Sequence, residues 1–374
     1  MEVFKIQQKM AVIFTISLLI LGAIARVGRG EEGLGACFIF GDSLVDSGNN
    51  NYLPTLSKAN IQPNGIDFKP SNGQPTGRYT NGRTIADIIS EELGQPNYSP
   101  PFLAPNTKGS AILHGVNYAS GGGGIMNQTG GIFINRLGMD IQIDYFNITR
   151  QQFDGLLGKE KAKEHIMKKS IFSITIGAND FLNNYLLPVV SVGQRILETP
   201  DMFVDNLIRN LRMQLSRLYS LDARKFVVGN VGPIGCIPYQ KTINQVGSTE
   251  CVELPNQLAL KYNARLKDLL IELNENLPGA TILHANVYDL VLELINNYQS
   301  YGFKSSSSAC CSNGPMTGIV PCGPTSLMCG DRSKYLFWDP YHPSEAANVI
   351  VAKYLLDGDT QYIFPINLRQ LKEL

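Results

Sequence analysis

Five short apolar runs punctuate the chain, at residues 37–40, 115–118, 171–176, 226–231 and 282–287. Each is flanked by Gly, Pro or Asn and is too short for a helix, so each predicts a buried strand. Between them the apolar positions recur at helical spacing. Residues 84–93 form one such segment. Phe203, Leu207, Leu211, Leu215 and Leu218 mark a second, and Leu258, Tyr262, Leu266, Leu269 and Leu273 a third. The last is 343–356, with Pro343 or Ser344 near its start. Strand and helix alternate, which predicts one α/β domain with a mostly parallel sheet covered on both faces. Residues 49–82, 125–148 and 301–334 read as irregular, and loops that long are often functional.

The start of the chain is not part of this pattern. Lys5 and Lys9 are followed by a nearly unbroken apolar stretch over 10–25, ending in Ala23-Ile-Ala25. The run is short for a membrane span, and Arg26, Gly28, Arg29 and Gly30 follow it. A cleaved secretory signal over 1–25 is expected, with an uncleaved anchor as the rival, leaving 26–374 as one domain. Export gives meaning to the seven cysteines. Cys236 and Cys251 flank a polar loop and could pair locally. Cys310, Cys311, Cys322 and Cys329 would staple a Ser/Gly/Pro-rich segment, and the odd count leaves a thiol over. The spacings match no zinc finger or ribbon, so no metal is expected. Asn97, Asn127 and Asn147 begin glycosylation sequons.

Composition narrows the classes further. With 374 residues and 44% hydrophobic content, the chain can bury one large core or two small ones. The formal net charge is zero, which gives nucleic acid or an anionic membrane no bulk attraction. Repeats, low complexity and charge blocks are absent from the sequence, which disfavours a structural wall protein.

Candidate chemistry sits at the two ends. Phe38-Ile-Phe-Gly-Asp-Ser-Leu44 places Ser43 after the first predicted strand. Trp338-Asp-Pro-Tyr-His-Pro343 places Asp339 and His342 on a loop before the last helix. A serine nucleophile needs a base, and a histidine base needs an orienting acceptor. Ser43 could equally be a turn serine, Asp339 a helix cap, and His342 a neighbour of Trp338. Of the other histidines, His165 reads as a solvated residue of a charged helix, His284 as a satisfied core residue, and His114 as the residue before a strand. Asn179 and the run 121–124 could supply oxyanion donors, or be ordinary turn residues. Ligands of a parallel sheet bind beyond the carboxyl ends of its strands, and Ser43, these glycines and Asn179 all fall there. The Gly-x-Ser-x-Gly elbow, a Walker loop and a dinucleotide fingerprint are missing.

Taken in order, five blocks resemble the plant GDSL-type esterase/lipase family of the SGNH hydrolase superfamily. They are Phe40-Gly-Asp-Ser-Leu-Val-Asp-Ser-Gly-Asn-Asn50, Pro75-Thr-Gly-Arg-Tyr-Thr-Asn-Gly-Arg83, Val116-Asn-Tyr-Ala-Ser-Gly-Gly-Gly-Gly-Ile125, Ile176-Gly-Ala-Asn-Asp180 and Phe337-Trp-Asp-Pro-Tyr-His-Pro-Ser-Glu-Ala-Ala-Asn348. The resemblance implies a flavodoxin-like three-layer α/β/α sandwich with about five mostly parallel strands. It implies Ser43 as nucleophile, His342 as base and Asp339 as its orienting carboxylate. The oxyanion donors would be Ser43 N–H, Asn179 and a glycine of 121–124. Counting from Asn117 favours Gly122, then Gly121, with Gly77 a weaker rival. The implied activity is ester hydrolysis without metal or cofactor, on an acyl lipid or an acylated small molecule or polymer. Acyl transfer to an alcohol, as in cutin synthesis, and a silent binding protein on the same scaffold are the alternatives. No obligate protein partner is implied, and the expected location is extracellular, in the cell wall space. The acyl pocket is expected to draw on the long loops, Trp338 and Tyr341.

Overall fold

The computed structural model describes residues 34–187, 191–312 and 321–374. The expected signal segment over 1–25 lies outside these residues. Four parallel strands form the frame: β1 (Ala36–Gly41), β2 (Ser170–Thr175), β3 (Lys225–Gly229) and β4 (Thr281–Ala285), side by side in that order. Because they are parallel, their carboxyl ends share one edge. Two further strands, β5 (Ser305–Ala309) and β6 (Tyr335–Phe337), pair with each other. The fifth strand of the main sheet is β7 (Ile363–Phe364), antiparallel to β4.

Helices cover both faces, as the alternating pattern requires. On one face lie α1 (Ile85–Glu92), α6 (Val287–Asn296), α7 (Glu345–Asp357) and α8 (Leu368–Glu373). On the other lie α2 (Met139–Leu157), α3 (Lys159–Lys169), α4 (Pro200–Ser220) and α5 (Glu253–Asn276). Local sequence sets several starts. Thr84 and Asp87 form a reciprocal capping box on α1, Thr199 precedes Pro200 on α4, and Ser344 accepts the Ala347 N–H on α7. The result is the three-layer α/β/α fold. Among the described residues no helix is long and apolar enough to cross a membrane.

Several expectations need correction. Residues 115–118 are not a sheet strand but make only isolated bridges, Asn117 to Ile39 and to Pro101. Val116 and Tyr118 bond only Ile39 of β1; the next β1 groups on that side are used elsewhere, with Gly41 N–H given to Gln142 Oε1 and the Cys37 carbonyl accepting the Ser99 hydroxyl, so the ladder does not extend. The irregular span 125–148 ends early, because α2 begins at Met139, and 301–334 contains β5. His165 is half-buried rather than solvated; its Nε2 lies 3.1 Å from the Leu113 carbonyl and its ring packs on Phe153. His284 is in the core, but its Nε2 has no hydrogen-bond partner among the described residues, and burial pulls its pKa down to about 4.

The cysteines pair as Cys236–Cys251, Cys310–Cys329 and Cys311–Cys322, and Cys37 is the buried free thiol. Asn97 and Asn127 are exposed and Asn147 is half-buried on α2.

Candidate active site

β1 delivers Ser43 to the carboxyl edge of the sheet. Gly41 ends the strand where a Cβ would lie 2.4 Å from the Thr175 carbonyl, so only glycine lets the two backbones approach this closely. Asp42 then turns the chain, with Oδ1 accepting Leu44 N–H and its carbonyl accepting Val45 and Asp46 N–H.

β6 delivers the other two residues from the far end of the sequence. Trp338 is fully buried among Cys310, Cys311 and Cys322, and its indole N–H donates to Asn64. The Cys310 and Cys311 N–H groups donate to the Phe337 and Trp338 carbonyls, so the disulfide-bonded segment braces this loop. Trp338 is therefore a buttress and not part of the pocket wall expected from sequence, whereas Tyr341 does line the cavity.

The loop brings His342 to Ser43. His342 Nε2 lies 2.8 Å from Ser43 Oγ, and Nδ1 lies 2.8 and 2.9 Å from the two oxygens of Asp339. Asp339 Oδ1 also accepts the Tyr341 and His342 N–H groups, each at 2.8 Å, which fixes the carboxylate. With Nδ1–H given to Asp339, Nε2 is left to accept the serine proton. Ser344, and not Asp339, caps α7.

Three groups expected to be oxyanion donors line the same cavity as Ser43: its own backbone, Gly122 and Asn179. The glycine run separates cleanly. Gly121 N–H donates to Asp46 and Gly123 N–H to the Ser120 carbonyl, while Gly122 N–H meets no acceptor among the described residues. Gly122 has φ +84°, and a Cβ there would meet the Phe133 ring at 2.5 Å. Ser43 N–H is likewise without an acceptor among the described residues. Asn179 spends one amide hydrogen on the Gly123 carbonyl and accepts from Asn183, which orients its second N–H. Gly77 packs against Gly48 and Asn51 and does not line the cavity.

Sequence reasoning missed the residues that hold this edge. Asp46 accepts Gly48, Asn49 and Gly121 N–H; Asn50 donates to the Gly121 carbonyl and accepts from Ser120; Asp180 accepts Ile125 and Met126 N–H and the Thr129 hydroxyl. All three lie inside the five quoted blocks. Asp46 and Asn50 stand in the polar run Asp46-Ser-Gly-Asn-Asn50 and Asp180 follows Asn179, so no local pattern marks them as buried. Burial pushes Asp46 and Asp180 up to about 6 and Asp42 up to about 7. Asp42 Oδ2 has no hydrogen-bond partner among the described residues. The Tyr79 ring, 5.2 Å from that of His342, is buried with its phenol pKa raised, so it stays neutral.

The cavity beside Ser43 measures about 610 Å³, within the usual range for small-molecule sites. Its walls are mainly aliphatic. Asp42 and Lys58 are the only Asp, Glu, Lys or Arg among its described lining residues. Lys58 is tied down by the carbonyls of Asn50, Asn51 and Leu53.

A parallel sheet carrying a serine at its carboxyl edge, beside an apolar cavity, is the frame of a carboxylic ester hydrolase. The chain belongs to the GDSL-like lipase/acylhydrolase family, whose profile matches residues 37–355. It is 66% identical over 372 residues to GDSL esterase/lipase At2g23540 of Arabidopsis thaliana, covering 98% of this chain and 96% of that protein. It is 60% identical over 371 residues to GDSL esterase/lipase At3g50400 of the same plant, covering 97% and 99%. GDSL esterase/lipase At4g16230, also from Arabidopsis thaliana, is 52% identical over 363 residues, covering 97% and 96%.

Proposed function

We propose that the protein is a secreted serine esterase that cleaves acyl esters through Ser43, His342 and Asp339. The observation that carries this reading is the unbroken contact path from Asp339 through the His342 ring to Ser43 Oγ, built from residues about 300 positions apart. His342 takes the Ser43 proton as Oγ attacks the ester carbonyl. The oxyanion forms against Ser43 N–H, Gly122 N–H and the Asn179 amide. His342 then protonates the departing alcohol, and water, activated by the same imidazole, releases the acid from the acyl-enzyme. Family membership supports ester hydrolysis, and the geometry supports this division of labour.

The test is an ester panel of increasing acyl length on the purified protein beside Ser43→Ala. Turnover is expected to vanish in Ser43→Ala with the fold intact by circular dichroism; undiminished turnover would remove Ser43 from its role. An added alcohol acceptor separates hydrolysis from acyl transfer by product ratio. Secretion over a cleaved 1–25 segment is supported by the leader pattern and by three disulfides. It predicts a mature N-terminus near Arg26 in protein recovered from the medium. Occupied sequons at Asn97, Asn127 or Asn147 would appear as mass lost on enzymatic deglycosylation.

A further inference from the structure

The two faces of the sheet are unlike. Toward α2, α4 and α5 the strands present Phe38, Phe40, Phe172, Ile174, Phe226 and Val228, which pack as one layer. Toward α1, α6 and α7 the last row before the catalytic edge is Gly41, Thr175, Gly229 and Ala285. The row below it is Ile39, Ser173, Val227 and Leu283, large except at Ser173. Protein interiors are normally filled to the density of organic crystals, and the small groups at the catalytic end of the layer leave it unfilled. The backbone does not demand them all: a Cβ on Gly229 would meet nothing closer than 3.7 Å. The cavity that starts at Ser43 occupies the gap. Its inner walls are Ile89 of α1, Leu294 of α6, and Val351 and Leu355 of α7, which are only 0–6% exposed.

We infer that this inner arm is an acyl subsite for an unbranched hydrocarbon chain, so that the enzyme selects straight-chain fatty acyl esters. This rests on the serine-esterase reading above. In the first step the acyl carbon bonds to Ser43 Oγ and its bond to the alkoxy oxygen breaks, the alcohol leaving with the proton held by His342. In the second, water adds to the acyl carbon, the Ser43 ester bond breaks and Ser43 recovers a proton through His342. Between the two steps the alcohol must depart and water must enter, while the acyl group stays attached. An enclosed arm suits the part that stays, and the open mouth beside Leu56, Ile132 and Phe133 suits the part that leaves. The described residues of the arm offer no ion pair to a carboxylated or sugar acid; its polar groups are the Ser173 and Thr175 hydroxyls and the Asn230 and Asn348 amides, which donate to Asn286 and to the Arg83 carbonyl.

Two substitutions on the floor of the arm test this in opposite directions. Ser173→Leu fills it and Val227→Ala widens it. The readout is the ratio of kcat/KM for a dodecanoyl over a butanoyl ester of the same alcohol. Wild type is expected to favour the longer chain, since each buried methylene is worth up to about fourfold. Ser173→Leu should lower the ratio by roughly tenfold and Val227→Ala should hold or raise it for longer chains. Thermal melts confirm that each variant is folded, and Val227→Ala, a small truncation, keeps the test open if Ser173→Leu is not. A ratio that stays within threefold of wild type in Ser173→Leu, or a shift in the alcohol-length profile instead, would overturn the subsite. If Ser43→Ala still cleaves the butanoyl ester, the serine-esterase reading fails first, and the two failures are thereby told apart.

Discussion

Ser43 gains its meaning from what touches it. The His342 ring is held between Ser43 Oγ and the Asp339 carboxylate, and that carboxylate is itself pinned by two backbone N–H groups. Asp339→Asn preserves the shape but misplaces the proton on the ring, so kcat should fall by about 10⁴-fold with little change in KM. Asn179→Ala removes one proposed oxyanion donor and should lower kcat about 10²–10³-fold; steady-state kinetics on a short acyl ester check both. Asp42 matters for stability instead. Burial raises its pKa to about 7, against about 3.9 in an unfolded chain. Below pH 4 the carboxyl is neutral in both states, so it carries no penalty. As pH rises through 7 the folded state must hold a buried charge, and stability is lost. Asp42→Asn removes that slope. Denaturant titrations should show the variant gaining on wild type between pH 4 and pH 8, and a constant offset would contradict this.

At the scale of elements, α1 shows how the motif blocks hold the fold. Arg78 forms a two-pronged ion pair with Asp87, both buried, and its guanidinium lies 4.3 Å from the Phe68 ring centroid. Arg78→Ala strands a buried carboxylate and should cost about 3–5 kcal/mol by urea denaturation. The four parallel strands and the helices α1, α4, α5 and α7 were legible because each carries a full apolar period. α2 was hidden: it starts at Met139 after Gly138, which offers no side-chain cap, straight after a glycine-rich loop. β7 has two residues, too few for any period. Residues 115–118 have a strand's composition and bond Ile39, but the next partner on β1, Gly41 N–H, goes to the Gln142 side chain. The groups of the proposed site could be read from local motifs. The groups that position them could not, since Asp46 reaches Gly121 across 75 positions and Asn50 reaches it across 71, a distance that no local spacing reveals.

For the whole molecule, the disulfides divide by what they brace. Cys236–Cys251 closes a local loop of 15 residues, and its removal should cost about 3 kcal/mol. Cys310–Cys329 sits on the segment that hydrogen-bonds the Phe337 and Trp338 carbonyls. Replacing both cysteines of that bridge by alanine should therefore lower kcat as well as stability, seen by comparing kinetics and melts for the two double variants. Ser43 and Asn179 follow strands of the sheet, Gly122 follows the bridged segment 115–118, and Asp339 and His342 lie on this braced loop. The proposed site exists only when the two are docked. The most direct test of the central claim is to treat the folded protein with an organophosphonate ester probe and map the adduct by peptide mass spectrometry. One adduct per chain is expected, on Ser43, with esterase activity lost in proportion to labelling. Esterase activity persisting in fully Ser43-labelled protein, or inactivation with the adduct on another residue, would contradict it.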